Sequence, residues 1–371
     1  MHTSSRLALD GDRCLPSRYP GTDCQHCVQA CPTGVLTVTH HGPRLATGCV
    51  ECGQCAAACP NEALALPGFA LRAKRQSGAV AVDCWRVPRS ESPVGAIRVP
   101  CLGGLTATDL LELSAEADGR PVALLDRGFC ARCPAGAARH PVEKSLATVQ
   151  GWLQTLRIPP LHWPRLTQWP LPPERMVQES SEPLLEARVS RRGLFVGLAE
   201  IVEPAPPQDR GAQDRPSRRL AALARLEVAR PFPAALFPAL SANDQCADHQ
   251  VCVAACPTGA LRRYREDSAR GLAFDAERCT GCGLCMQLCP SRALTMAREG
   301  PAATHPGPSI LTRFRVRSCP DCDADYTGDG PVCPACASDQ AFAQEAFRTL
   351  FGAVAPHSTN NEAEEDTRWS Y

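Results

Sequence analysis

The sequence predicts an α+β, multidomain chain: two related cysteine-rich modules, a small α/β region between them, and a cysteine knuckle near the C-terminal end. Three observations lead there. At 371 residues the chain is long enough for two or three domains. Its 23 cysteines fall mostly in short C-x2-C runs. Two stretches, Cys24–Pro60 and Cys246–Pro290, also share one plan, with the phrases CPTGVL at Cys31 and CPTGAL at Cys256.

Composition narrows the chemistry. An odd number of cysteines in adjacent pairs suits metal ions better than a disulfide framework, so a reducing cytoplasm is the expected compartment. Lys+Arg and Asp+Glu are equal at 39 each, which gives no net field for nucleic acid or an anionic membrane. The opening MHTSSRLALDGDRC has no apolar signal region, and no apolar run is long enough to span a bilayer.

Residues 1–75 form the first expected module. Cys49, Cys52, Cys55, Cys59 and Pro60 give C-x2-C-x2-C-x3-C-P, the spacing that wraps three thiolates around one [4Fe-4S] cubane and sends the fourth to a second. The partner run has Cys24, Cys27, Cys31 and Pro32, but its first position falls at Gly21, and the nearest thiol is Cys14, beyond a nine-residue insertion. The assignment is Cys14, Cys24, Cys27 and Cys59 for one cluster, and Cys31, Cys49, Cys52 and Cys55 for the other. The alternative leaves Cys14 a spectator and a [3Fe-4S] cluster in its site.

Residues 76–156 read as a small α/β domain. Apolar strands Ala79–Asp83, Ile97–Pro100 and Pro121–Asp126 lead to Cys84, Cys101 and the Cys130/Cys133 pair, with Gly103-Gly104 and a helical Thr108–Ala117 between. Thiols at strand ends sit where open α/β sheets place their sites. Four thiols suffice for a [2Fe-2S] or [4Fe-4S] cluster; zinc or an empty set are the alternatives.

Residues 157–219 are rich in proline and read as a linker carrying a short helix over Leu184–Val202. Within it, Ser190-Arg191-Arg192-Gly193-Leu194-Phe195 imitates a twin-arginine signal, but it lies mid-chain and reads as a solvated cationic edge. Leu220–Val228 is helical in pattern and leads into the second module, 220–300. There Cys279, Cys282, Cys285, Cys289 and Pro290 repeat the full run. Cys246, Cys252, Cys256 and Pro257 form its partner, with His249 where a thiolate belongs. The two sets are Cys246, His249, Cys252 and Cys289, and Cys256, Cys279, Cys282 and Cys285. Either His249 is a ligand, or that corner is absent and the cluster is [3Fe-4S]. A neutral imidazole in place of a thiolate raises the reduction potential.

Residues 310–340 carry Cys319, Cys322, Cys333 and Cys336 as CPDC-x10-CPAC, a tetrahedral S4 pattern for structural Zn2+ in a ribbon, or for a mononuclear iron. The polar tail 355–371 reads as disordered. All 23 cysteines are thereby placed, and His249 fills the single gap.

These motifs resemble bacterial-type two-cluster ferredoxins, in two copies; the resemblance implies ferredoxin-like dicluster modules with short hairpins and helices around the cubanes. The second copy, with SRRGLF upstream, is similar to the soluble ferredoxin associated with nitrate reductase. The middle region resembles the delta subunit of methyl-viologen-reducing hydrogenases, whose four cysteines hold a two-iron cluster, although Cys84 stands alone where that family has a pair. Together they imply a multi-cluster electron carrier between a redox donor and an acceptor, without independent catalytic activity, its linker letting the two modules change separation. The alternatives are an electron-transfer subunit of an oxidoreductase complex, or a maturation or interaction protein for a molybdenum or nickel enzyme. No dinucleotide loop or catalytic triad is present, and His140 and His162 read as structural or solvated.

Overall fold

A computed structural model of the chain describes residues 7–66, 68, 71–73, 78–175, 214–297 and 307–352. The expected helix over 184–202, the double arginine and the tail lie outside the described residues. By contacts the chain divides into two compact units, Met1–Tyr264 with Gly271–Thr312, and Arg265–Arg270 with Arg313–Tyr371.

The first unit opens with β1 (Ala8–Leu9), α1 (Leu15–Arg18), α2 (His26–Gln29), β2 (Leu36–Thr39), β3 (Gly42–Leu45), α3 (Gln54–Ala58) and β4 (Leu64–Ala65). β1 pairs antiparallel with β4, and β2 with β3. Gly53 caps α3 at φ 74°, a left-handed conformation that costs an L-residue about 1 kcal/mol or more. The glycine between Cys52 and Cys55 is therefore what lets the loop turn into a helix within one residue.

Next come β5 (Val80–Cys84), β6 (Ile97–Val99), α4 (Ala107–Glu116), β7 (Val122–Asp126), α5 (Glu143–Thr155) and β8 (Arg165–Gln168). They build a parallel sheet in the order β6-β5-β7-β8. Thr106 and Asp109 form a reciprocal capping box that starts α4. Leu110, Leu111 and Leu113 then bury against Val82, Val99 and Leu124, and Val149 and Leu153 of α5 complete the core.

Two of these elements revise the expected boundaries. β8 lies inside the stretch read as linker: Pro164 precedes it, so no ladder hydrogen bond is lost, and Leu166 packs on the core. Residues 215–219, also read as linker, begin α6 (Arg215–Arg225), which Asp214 caps by accepting from the Ser217 N–H at 2.9 Å. Ala222 and Leu223 of α6 are buried in the α/β core, with Phe232, Leu236 and Phe237 following them. The segment expected to lead into the second module is thus part of the α/β domain.

α6 also carries a buried polar cluster. Arg218 is buried, and its guanidinium donates to Asp109 at 2.9 Å, Glu112 at 2.5 Å and Glu62 at 2.5 Å. Burial alone lowers its pKa, but the three carboxylates outweigh that and raise it. Beside it, Arg215 donates to the carbonyls of Ala57 and Cys59 at 3.2 and 3.0 Å. One helix turn therefore ties the first module to the α/β domain.

β9 (Ala239–Ala242), α7 (Val251–Ala255), β10 (Leu261–Glu266), β11 (Ala269–Phe274), α8 (Leu284–Gln287) and β12 (Leu294–Ala297) follow. Their order of strand, helix, hairpin, helix and strand is that of residues 8–65 with α1 left out, and β9 pairs antiparallel with β12 as β1 does with β4. Gly283 caps α8 at φ 73°, the counterpart of Gly53. The linker reading also expected two modules free to change separation, and the packing overturns it. Asp23 and Gln287 exchange two hydrogen bonds of 2.9 Å, Thr280 donates to Asn61 at 3.0 Å, and Leu15, Ala255 and Leu284 share one buried cluster. Apolar surface shared by α1, α7 and α8 would be exposed on separation.

In the second unit β13 (Ser309–Ser318) enters and pairs antiparallel with β14 (Asp325–Thr327). α9 (Pro334–Phe351) starts on its N-cap Cys333 and runs beyond the knuckle boundary expected at 340.

Replacing Arg218 by leucine leaves the buried Asp109 and the partly buried Glu62 without their cation. The expected loss is about 3–5 kcal/mol of stability, read as a lower guanidinium unfolding midpoint. A midpoint equal to that of the unaltered protein would contradict the role assigned to this cluster.

Candidate metal centres

The cysteines gather in two geometries. Cys319, Cys322, Cys333 and Cys336 bring their sulfurs within 4.8 Å of one another, with Cys322 and Cys333 3.6 Å apart. A single ion with metal–sulfur bonds of about 2.3 Å sets tetrahedral sulfurs about 3.8 Å apart, so this set fits one ion. The β13–β14 turn and the start of α9 position it: the Cys333 N–H donates to Cys319 Sγ at 3.3 Å and the Cys336 N–H to Cys333 Sγ at 3.4 Å. Cys319 is pulled down to about 6, chiefly by the Cys333 N–H, which favours the thiolate a metal needs.

The other sets line larger cavities. Cys14, Cys24, Cys27 and Cys59 line one of about 390 Å³, and Cys31, Cys49, Cys52 and Cys55 one of about 350 Å³. Cys256, Cys279, Cys282 and Cys285 line a third of about 380 Å³. Cys84, Cys101, Cys130 and Cys133 line a fourth of about 480 Å³ at the C-terminal ends of β5, β6 and β7. Cys14 reaches its set because the insertion coils into α1 and turns back at Gly21, φ 92°. Cys246, Cys252 and Cys289 are electrostatic neighbours, and His249 stands exposed on the loop between the first two.

Charge says what such cavities require. Burial first, with neighbouring cysteines adding to it, pushes Cys27, Cys84 and Cys252 up to about 11, and Cys55, Cys130, Cys279 and Cys285 up to about 12; beside Cys130, Asp126 adds as well. Cys101 is likewise raised, by burial first and then by Cys84. Four such thiols ionise together only around a cation. Backbone amides already point at the sulfurs: Ala63 N–H to Cys59 and Ala293 N–H to Cys289 at 3.3 Å, and Arg86 to Cys84, Gly103 to Cys101 and Gly281 to Cys279 at 3.4 Å. The four thiols lining each cleft, with N–H donors aimed at sulfurs, fit an iron–sulfur cluster.

Several groups escaped the sequence reading. The residue two after a Cys-Pro cysteine offers a hydroxyl to that sulfur: Thr33 to Cys31 and Ser291 to Cys289 at 3.6 Å, and Thr258 to Cys256 at 3.9 Å. Burial raises Cys31 and Cys289, but these hydroxyls and the backbone N–H groups beside them outweigh it, and both are lowered. The recurrent C-P-[ST] phrase was the available signal. His140 also differs from its reading as structural or solvated: its Nε2 lies 3.3 Å from Cys130 Sγ, and Asp126, Cys130 and His140 form a group able to hold a metal. Burial lowers the His140 pKa, against Asp126 and Glu143, which favours the neutral ring. His162 is structural, with Nδ1 2.7 Å from the Gly119 carbonyl oxygen.

Residues 244–293 match the family model of the 4Fe-4S dicluster domain. The match supports an iron–sulfur, ferredoxin-type module there, and with it iron–sulfur electron transfer and redox partners. A search of the curated proteins finds no match. Among the described residues, no helix is long and apolar enough to cross a membrane.

Cys322→Ser should remove one equivalent of bound metal from the knuckle and leave the iron of the other sets unchanged, as elemental analysis of the two proteins would show. Equal metal content in both would count against a single-ion site.

Proposed function

We propose that the protein is a multi-cluster electron carrier: residues 7–66 are a second dicluster module beside the matched one, and the chain passes electrons between a redox donor and an acceptor. The observation that carries this reading is the division of sixteen cysteines into four cavities of four, two of them taking three cysteines from a C-x2-C-x2-C-x3-C-P run and the fourth from its partner run. The ligand sets are those assigned above. His249 is taken as the fourth ligand beside Cys246, Cys252 and Cys289, the α/β cysteines as holding a further cluster, and the knuckle as holding zinc.

Iron–sulfur clusters, when bound, supply one-electron oxidation and reduction at potentials set by charge, hydrogen bonds to sulfur and exposure. The protein's own part is to tune them. Burial of Cys27, Cys52, Cys55 and Cys101 excludes water, and the amides and hydroxyls aimed at sulfur favour the more negative, reduced state.

Anaerobically purified protein should contain iron and acid-labile sulfide with reversible couples in an EPR-monitored titration. About sixteen irons correspond to the four cubanes, and about two more to a two-iron centre in the α/β domain. Absence of any reversible couple would sink the carrier reading. His249→Cys adds a negative charge and should lower the potential of one centre, whereas His249→Ala should convert or empty it. Identical spectra in both variants and the parent would exclude ligation by this histidine.

A further inference from the structure

The expected cluster sites of the first unit adjoin one another, and the contacts have an order. At the α/β end, Cys52 and Cys101 share a buried apolar cluster with Ala135. Gln54 Nε2 donates to the Ala135 carbonyl at 2.6 Å. A methyl group on Gly104 would lie 2.8 Å from the Cys52 carbonyl oxygen, so only glycine admits this approach. Inside the first module, Cys55 and Cys27 belong to one buried cluster and to different cysteine sets.

The next step crosses between modules. Cys24 and Cys282 both pack on the cluster of Leu15, Ala255 and Leu284. The Asp23–Gln287 pair places a double hydrogen bond beside Cys24, and the Thr280–Asn61 bond joins residues that adjoin Cys279 and Pro60. Inside the second module, Cys252 and Cys285 adjoin one cluster while belonging to different sets.

We infer that the chain holds one internal electron path of fixed order: the Cys84/Cys101/Cys130/Cys133 site, then Cys31/Cys49/Cys52/Cys55, then Cys14/Cys24/Cys27/Cys59, then Cys256/Cys279/Cys282/Cys285, and last the site of Cys246, Cys252 and Cys289. This rests on the electron-carrier reading. The α/β domain and the loop bearing His249 are the two termini, so donor and acceptor meet the chain at different sites. The junction at Cys24 and Cys282 is the single step between modules.

Spin–spin interaction in the fully reduced, full-length protein tests the order. In a Cys24→Ala/Cys27→Ala variant, the EPR signal of the Cys256/Cys279/Cys282/Cys285 centre, assigned by its loss from a Cys282→Ala variant, should narrow because one neighbour is gone. In a Cys52→Ala/Cys55→Ala variant the same signal should keep its width, since the emptied site lies one station further off. Equal narrowing in both, or in neither, overturns the order. Should the first variant fail to fold, Thr280→Val with Gln287→Ala removes the three inter-module hydrogen bonds named above and keeps every thiol. The signal should then narrow, and an unchanged width overturns the junction. Absence of cluster signals from the unaltered protein is a different result, which removes the carrier reading itself.

Discussion

Arg218 is the contact on which the arrangement of the first unit depends. Its guanidinium reaches three carboxylates, Asp109 and Glu112 on α4 and Glu62 just beyond the Cys59-Pro60 turn. Breaking a buried pair of this kind strands charges in a medium that solvates them poorly, so the cluster holds α6, the α/β domain and the first module in one relation. Asp109 has a second duty, since its other oxygen accepts from the Thr106 N–H and starts α4. The helix whose start is capped by this carboxylate is the helix onto which the arginine docks.

The cysteine sites pose the opposite charge problem. Sets of four thiols, half-buried or buried and next to one another, disfavour ionisation, yet N–H donors and hydroxyls converge on the sulfurs as though thiolates were present. A cation resolves both. The spread of the sulfurs then separates its kinds: those of the knuckle lie within 4.8 Å of one another and fit one ion, whereas the other sets of four line wider clefts. The same burial that disfavours bare thiolates shields a bound cluster from water.

Much of the site was legible because its signals are local. A C-x2-C-x2-C-x3-C-P run dictates a loop closing on itself, and Gly53 and Gly283 supply the left-handed residue that each loop needs before its helix. Cys84, Cys101 and the Cys130/Cys133 pair were readable as one set because parallel strands end side by side. Local reading failed where proline content stood in for structure. β8 and α6 lie in stretches whose composition resembles a linker, and packing of Leu166 and burial of Leu223 against distant partners override that bias. The sulfur that the His140 ring meets, Cys130, lies ten positions earlier and in a different element, which no local pattern around His140 shows.

The sequence by itself determined which cysteines form each C-x2-C run, since spacing within a tight loop is a property of a few consecutive residues, and it left Cys14 open between ligand and spectator. It also determined that two stretches follow one plan, through the matching CPTG phrases and paired runs. Tertiary structure alone decided how the sites follow one another. The inter-module contact joins Asp23 to Gln287, 264 positions apart, and the α/β contact depends on Gly104 meeting the Cys52 carbonyl. Such contacts arise from the shapes of folded surfaces, to which no local periodicity points. They turn separate cysteine sets into neighbours.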